Sequence, residues 1–160
     1  MPIQVGDTMP EGRFNLMKVD GPGSIGTKEL FDGKKVVLFS VPGAFTPTCS
    51  RDHLPGFVEK ADAIRAKGVD TVACMAVNDA FVMGAWGKQA GADDKVLMLA
   101  DGNGDYTRAL DLVLDGTGFG LGMRGKRFAL IVDNGKVTQA FIEEAGQFKV
   151  SSAENVLAHL

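Results

Sequence analysis

The feature that most constrains the fold is a pair of apolar runs separated by one amphipathic segment. The second run, "VDTVACMAV" at residues 69–77, is almost unbroken, which is typical of a strand buried on both faces of a parallel sheet. The first run, "KKVVLFS", covers residues 34–40. Between them, residues 49–67 carry apolar side chains at helical spacing and stop at Gly68. The sequence therefore predicts a strand–helix–strand unit.

The rest of the chain continues this alternation. Residues 80–91 and 105–113 are predicted helices, and the apolar run at 95–101 is a predicted strand between them. Asn134 and Gly135 favour a tight hairpin turn between two further strands, and "SSAENVLAHL" predicts a terminal helix. This order is found in thioredoxin-like folds and also fits other three-layer sandwiches. We expect an α/β fold with a central mixed sheet flanked by helices.

Length and composition favour a single domain over residues 1–160, since 45% of the residues are hydrophobic and 23% are charged. The net charge of −3 and the lack of a basic stripe argue against binding to nucleic acid. The N-terminal segment resembles no leader and no apolar run reaches membrane-spanning length, so we expect a cytoplasmic protein without membrane contact.

The chain has only two cysteines and two histidines, too few for a disulfide framework and poorly suited to a four-ligand zinc site. We therefore expect no metal and no cofactor, and cysteine chemistry that is redox or nucleophilic. No C-x-x-C dithiol is present, which disfavours a thiol–disulfide exchange protein.

The stretch "VPGAFTPTCS", residues 41–50, places Cys49 where the first strand passes into the helix. An ordinary thiol is only about 3% ionised at pH 7, and a helix N-terminus together with a further cation would favour the thiolate. Pro42 and Pro47 stiffen the loop, and the hydroxyl of Thr46 lies within reach of the sulfur or a substrate oxygen. The same pattern also fits a small buried cysteine behind an ordinary capped turn.

Three motifs, "PGAFTPTCS", "VNDAFVMGAWGK" and "GLGMRGKRFALIVDNGKV", resemble the peroxiredoxin family, in its peroxiredoxin-5-like or type II branch. The resemblance spans nearly the whole chain and implies a thioredoxin-like fold. It also implies reduction of hydrogen peroxide and alkyl hydroperoxides by a thiolate. Cys49 matches the peroxidatic cysteine, Thr46 the peroxide-orienting hydroxyl, Pro42 the shielding proline, and Arg127 the arginine that stabilises the thiolate.

The resemblance also implies a recycling route. Two-cysteine members carry a resolving cysteine near the C-terminus, where this chain has Ser151 and Ser152. Cys74 lies in the middle of an apolar strand, which is typical of an inert core cysteine. We therefore expect a one-cysteine cycle in which glutathione, with or without glutaredoxin, reduces the sulfenic acid of Cys49. The alternative is a non-enzymatic redox sensor or holdase switched by Cys49 oxidation.

Other residues have more than one interpretation. Phe45, Phe119 and Leu121 flank the two motifs and are candidates for an apolar collar that binds organic hydroperoxides, or for core or subunit contacts. His53, four residues after Cys49, is a candidate base, although a packing role is favoured.

Two further signals bear on the surroundings of the site. The glycine-rich "GLGMRG" precedes a strand, which disfavours a dinucleotide loop and favours a loop supporting the pocket. Phe81, Met83 and Trp86 of the second helix are expected in the core, or partly at a homodimer interface.

Overall fold

The structure, a computed structural model, describes residues 1–160 and has a seven-stranded sheet at its centre. The nine strands of the chain are β1 Arg13–Lys18, β2 Gly21–Gly26, β3 Lys35–Ser40, β4 Thr71–Ala76, β5 Leu97–Ala100, β6 Val113–Asp115, β7 Met123–Gly125, β8 Phe128–Asp133 and β9 Lys136–Ile142. The strand order in the central sheet is β2-β1-β5-β4-β3-β8-β9, and β6 and β7 form a separate two-stranded sheet.

Five α-helices pack around this sheet. They are α1 Thr27–Phe31, α2 Leu54–Ala66, α3 Ala80–Gln89, α4 Asp105–Leu110 and α5 Ala153–Ala158. A π-helical turn, Cys49–His53, leads directly into α2, and a single 3₁₀ turn, Thr117–Phe119, lies between β6 and β7. No helix of the chain has the length and apolar character needed to cross a bilayer.

The sheet is mixed because its central strands come from crossover connections and its outer strands come from hairpins. Strands β3, β4 and β5 run parallel, which requires the crossover helices α2 and α3. Strand β8 pairs antiparallel with β3, and the β8–β9 hairpin turns at Asn134 and Gly135, both at positive φ. The predicted strand–helix–strand unit, hairpin and α/β thioredoxin-like architecture are confirmed.

The sheet divides the apolar core into two clusters, one on each face. One cluster holds Cys49 and Cys74 together with Phe39, Phe57 and Trp86, all with no more than 1% of their surface exposed. The other cluster lies under α1, α4 and the N-terminal segment. Both cysteines are therefore buried on the same face of the sheet, beneath α2 and α3.

The predictions and the structure differ at the edges of the sheet. The β1–β2 hairpin and α1 were not predicted, and residues 111–113, expected in a helix, instead lead into β6. The helix around Cys49 is π-helical over Cys49–His53 rather than α-helical, and it continues into α2. The glycine-rich segment 120–125 ends in the short strand β7.

Candidate active site

The loop after β3 is contacted by two other parts of the chain. The backbone N–H of Ala44 donates to Asn78 Oδ1 at 2.9 Å, and Phe45 adopts a left-handed backbone with φ of 67°. A Cβ at Gly43 would lie 2.9 Å from the guanidinium of Arg124, so a larger residue at this position would displace the end of that arginine side chain. Arg124 also donates through Nε to the Leu121 carbonyl. These contacts support the geometry of the loop in the resting structure.

Cys49 lies at the start of the π-helical turn and has no exposed surface. The next residue is fixed from two sides: the N–H of Ser50 donates to the Thr46 carbonyl at 2.9 Å, and Trp86 Nε1 donates to Ser50 Oγ at 2.9 Å. π-Helical turns are rare and occur frequently at functional sites. Helix α3 thus holds the turn that carries the cysteine.

Arg127, which lies just before β8, is the cation beside this cysteine. Its Nη2 donates to Cys49 Sγ at 3.1 Å, and its guanidinium carbon lies 5.6 Å from the centre of the Phe148 ring. A guanidinium in this position stabilises the thiolate over the neutral thiol. Cys49 and Arg127, 78 residues apart in the chain, therefore form the centre of the candidate site.

His53 contacts the arginine rather than the sulfur. Its Nε2 lies 2.9 Å from the Ser151 carbonyl oxygen, and its Nδ1 lies 2.8 Å from Arg127 Nη1. These partners assign the proton to Nε2, which donates to the carbonyl, and make Nδ1 the acceptor from Arg127. Burial, followed by the charge of Arg127, lowers the pKa of His53 to about 3. His53 is thus a neutral positioning residue for Arg127.

Glu143 fixes the segment that supplies the carbonyl for His53. Its Oε2 accepts from the backbone N–H groups of Lys149, Val150 and Ser151, and from Ser151 Oγ, at 2.7–2.8 Å. Burial raises the pKa of Glu143, but these hydrogen bonds outweigh burial and hold it below its ordinary value. A chain of contacts therefore runs from the C-terminal segment to the sulfur.

The sequence did not indicate this supporting chain. The four-residue spacing between Cys49 and His53 suggests a contact between these two residues, and it does not indicate that His53 contacts Arg127. Glu143 stands at the end of a hairpin strand, and its partners lie in a segment without regular structure. No local pattern signals an acidic side chain that accepts only backbone N–H groups and one hydroxyl.

Two other predicted site residues lie in the loop that precedes the cysteine. The Thr46 hydroxyl donates to the Gly43 carbonyl at 2.7 Å, which leaves its oxygen free to accept a hydrogen bond from a substrate. Pro42 lies near the start of the same loop, and its carbonyl oxygen is 3.5 Å from Arg124 Nη1. Their roles in orienting peroxide and shielding the sulfur stay predictions.

A cavity of about 260 Å³ opens beside Arg127. Pro42, Thr48, Lys126 and Arg127 line it together with residues 143–148, and most of the lining residues are not hydrophobic. The residues of the predicted apolar collar do not line this cavity; they are Phe45, Phe119 and Leu121. Phe119 is 88% exposed, and the ring of Phe45 packs toward Trp86, with the ring centres 6.4 Å apart. Their role in binding hydroperoxides stays a prediction.

Cys74 lies on β4 and provides an internal contrast. Burial, followed by the charge of Cys49, raises the pKa of the Cys74 thiol well above its ordinary value, and no side chain donates a hydrogen bond to its sulfur. No group of three or more histidine, cysteine, aspartate or glutamate side chains is arranged to hold a metal ion. The structure thus presents one cysteine with a cationic donor, next to a polar cavity.

The family model for redoxins matches residues 4–157. Peroxiredoxin-2C of Oryza sativa subsp. japonica is 52% identical over 160 residues, and the match covers 99% of both chains. The chain belongs to the peroxiredoxin family. The family, the fold and the broad enzyme class predicted from the sequence, a thiol peroxidase, are therefore confirmed for this peroxiredoxin.

Solved structures agree with this assignment. Reduced Prx3 from Vibrio vulnificus in complex with hydrogen peroxide superposes on this peroxiredoxin with a TM-score of 0.94, at 50% identity and 98% coverage of each chain. The antioxidant protein of Plasmodium falciparum, described as a 1-Cys peroxiredoxin, superposes with a TM-score of 0.89, at 32% identity and 96% coverage of each chain.

Proposed function

We propose that this peroxiredoxin reduces hydrogen peroxide and alkyl hydroperoxides with Cys49 and is recycled by glutathione, with or without glutaredoxin. The observation that carries the proposal is the 3.1 Å contact from Arg127 Nη2 to Cys49 Sγ, beside a cavity that a small substrate can enter. A relative of 50% identity, reduced Prx3 of Vibrio vulnificus, is known in complex with hydrogen peroxide.

In the first half of the proposed cycle, the Cys49 thiolate attacks one oxygen of the peroxide and the O–O bond breaks. The electron pair of that bond leaves on the distal oxygen, which takes a proton and departs as water or an alcohol. The guanidinium of Arg127 stabilises the negative charge that develops on this oxygen, and the Thr46 oxygen accepts a hydrogen bond from the peroxide. Cys49 is left as a sulfenic acid.

In the second half, an external thiol restores the thiolate. Ser151 and Ser152 occupy the C-terminal segment, and Cys74 is buried within a central strand, so neither segment supplies a second thiol near the surface. The description of the Plasmodium relative as a 1-Cys peroxiredoxin supports the same cycle. One glutathione forms a mixed disulfide with Cys49 and releases water, and a second releases glutathione disulfide.

The proposed assembly is a homodimer. Phe81 at the start of α3 is 64% exposed and Phe119 is 88% exposed, and phenylalanine is enriched in protein–protein interfaces relative to the rest of the surface. Met83 and Trp86, by contrast, belong to the core. Sedimentation equilibrium of the wild-type protein and of Phe81→Glu tests this. A monomeric wild type contradicts the proposal, and dissociation of the variant supports it.

The reductant is tested by steady-state peroxide consumption with glutathione, glutathione plus glutaredoxin, and thioredoxin, each kept reduced by its own reductase and NADPH. We expect sustained turnover with glutathione and faster turnover when glutaredoxin is added. Turnover with thioredoxin alone would contradict the proposed reductant. A single stoichiometric oxidation that no thiol reverses would favour a redox sensor instead.

A further inference from the structure

The cavity beside Arg127 contains a charge that the site geometry does not use. Lys126 lines the cavity, and its ammonium makes no ion pair and no hydrogen bond with the rest of the chain. Its backbone is fixed on both sides, because its N–H donates to the Leu112 carbonyl at 2.8 Å and its carbonyl accepts from Ser40 Oγ at 2.9 Å. The ammonium is therefore presented from a rigid base at the rim of the active site.

The other charges in the cavity leave this ammonium available. Arg127 is engaged by Cys49 and His53, and the Oε2 of Glu143 is occupied by the segment 149–151. Glu144 carries the opposite charge and is exposed. It also lines the cavity and makes no ion pair. A cationic and an anionic residue without ion pairs thus line the same cavity, which suits a ligand that carries both a carboxylate and an ammonium group.

The size and the charged lining of the cavity bear on whether it suits the peroxide or the reducing thiol. Its volume of about 260 Å³ lies just below the roughly 300–1,000 Å³ usual for small-molecule sites, and far exceeds what a peroxide of two oxygen atoms needs. The lining combines apolar side chains with the charged residues Lys126 and Glu144, so it offers contacts that hydrogen peroxide does not use. A small peptide thiol fits both the volume and the charges.

We propose that Lys126 binds a carboxylate of the reducing thiol and holds that thiol beside Cys49 for the second half of the cycle. This rests on the proposed function, since it names the contact through which glutathione is recognised. The anchored thiolate attacks the sulfur of the Cys49 sulfenic acid. The new S–S bond forms as the S–O bond breaks, and the hydroxide that leaves takes a proton to become water.

The resting site adds one requirement. Cys49 Sγ has no exposed surface, so the thiol reaches it only when the π-helical turn or the loop before it moves. A thiol already held at Lys126 is present whenever this opening occurs. Lys126 therefore raises the effective concentration of the thiol near Cys49.

The test measures kcat/KM for the thiol and, separately, the rate constant for oxidation of Cys49 by hydrogen peroxide. Lys126→Gln removes the charge, Lys126→Arg keeps it, and Lys136→Gln makes the same charge change at an exposed position on β9, away from the cavity. We expect Lys126→Gln to lower kcat/KM for glutathione by about fivefold to tenfold. Lys126→Arg should recover most of it, and Lys136→Gln should match the wild type.

The same variants are then assayed with 2-mercaptoethanol, a thiol without a carboxylate. The inference requires that Lys126→Gln lowers kcat/KM for glutathione by a larger factor than kcat/KM for 2-mercaptoethanol. The rate constants with peroxide ensure that reduction by the thiol limits turnover in each variant. An equal loss with both thiols overturns the inference. Wild-type turnover with glutathione that Lys126→Gln leaves unchanged overturns the inference alone. No wild-type turnover with glutathione overturns the proposed reductant, and the inference with it.

Discussion

The two cysteines of this chain make an internal comparison. Cys49 and Cys74 have the same side chain, lie in the same apolar cluster and are both fully buried. They differ in one contact: Arg127 Nη2 donates to Cys49 Sγ at 3.1 Å, whereas the surroundings of Cys74 oppose ionisation. Burial alone therefore does not make a cysteine inert or reactive. What separates the two is a cation that a distant part of the chain brings to one of them.

The largest expected effect comes from removing each sulfur in turn. Cys49→Ser should abolish peroxide consumption, because a serine hydroxyl does not form the nucleophilic thiolate. Cys74→Ser should retain most of the activity, provided that the variant folds, since the Cys74 thiol stays protonated. Dithiothreitol serves as the common reductant, and circular dichroism verifies the fold. Activity that survives in Cys49→Ser, or disappears in folded Cys74→Ser, would break the comparison.

The second largest effect is expected when substitution of Arg127 removes the contact that distinguishes the two cysteines. Arg127→Gln should lower the second-order rate constant with hydrogen peroxide by roughly 10²–10³-fold, as expected for the loss of one charged donor to a developing negative charge. Arg127→Lys should give an intermediate value, because it keeps the charge but loses the fork that contacts both Cys49 and His53. Stopped-flow measurements at equal pH give these rate constants. Unchanged rates in Arg127→Gln would show that another group activates Cys49.

The third effect is a dependence of stability on pH that arises on the Cys49 side of the comparison. The pKa of His53 is about 3 in the folded protein, against about 6.5 in an unfolded chain. Between these values only the unfolded chain binds the proton, so the free energy of unfolding falls as the pH drops below about 6.5. From pH 8 to pH 5 the loss due to His53 is about 2 kcal/mol.

Urea unfolding at pH 8 and pH 5 measures this loss. His53→Asn should show a smaller decrease than the wild type, because it has no group that titrates in this range. The pKa of Glu143 is lowered in the folded protein, so its carboxylate also contributes stability that is lost as the pH falls. This loss occurs mainly below the pH range of the test. Equal decreases in the wild type and His53→Asn would show that the imidazole does not titrate as its burial requires.

The parts of the fold that the sequence predicted are those where local pattern and final burial agree. Strands β3 and β4 are apolar because both their faces are covered, and the Asn134-Gly135 turn needs the positive φ that these residues adopt readily. The β1–β2 hairpin could not be recognised in this way, since β2 is rich in glycine and only partly buried. Its pairing with β1 decides its structure.

The same distinction applies to the site. The motif around Cys49 and the match of Arg127 to a family arginine were sufficient to predict that the two residues act together. The support of Arg127 by His53 was not predictable, because it depends on a carbonyl at residue 151 that Glu143 holds in place. Lys126 stood beside Arg127 in the sequence without any sign that its side chain lines a cavity. Such contacts between distant segments leave no periodic trace in a sequence.

The smallest expected effect concerns how Arg127 is positioned, and it uses two variants of His53. Asparagine places its Oδ1 where Nδ1 of the histidine accepts from Arg127, whereas glutamine places its amide nearer to Nε2, which donates to the Ser151 carbonyl. His53→Gln should therefore lower the rate constant with peroxide by about tenfold, the size of one hydrogen bond to a charged group. His53→Asn should stay within about threefold of the wild type.

Stopped-flow oxidation by hydrogen peroxide gives the rates, and the 240 nm absorbance of the thiolate, followed against pH, shows whether the ionisation of Cys49 changes with them. The charged or titratable groups around the sulfur are Arg127, His53, Cys74 and, beyond the histidine, Glu143, so the profiles are compared above pH 5. A change in the pH profile of the 240 nm absorbance in His53→Gln that is absent in His53→Asn would show that the contact from His53 to Arg127 affects the ionisation of Cys49. Equal losses in both variants would show that the histidine serves only to fill space, and Arg127 alone would then account for the difference between the two cysteines.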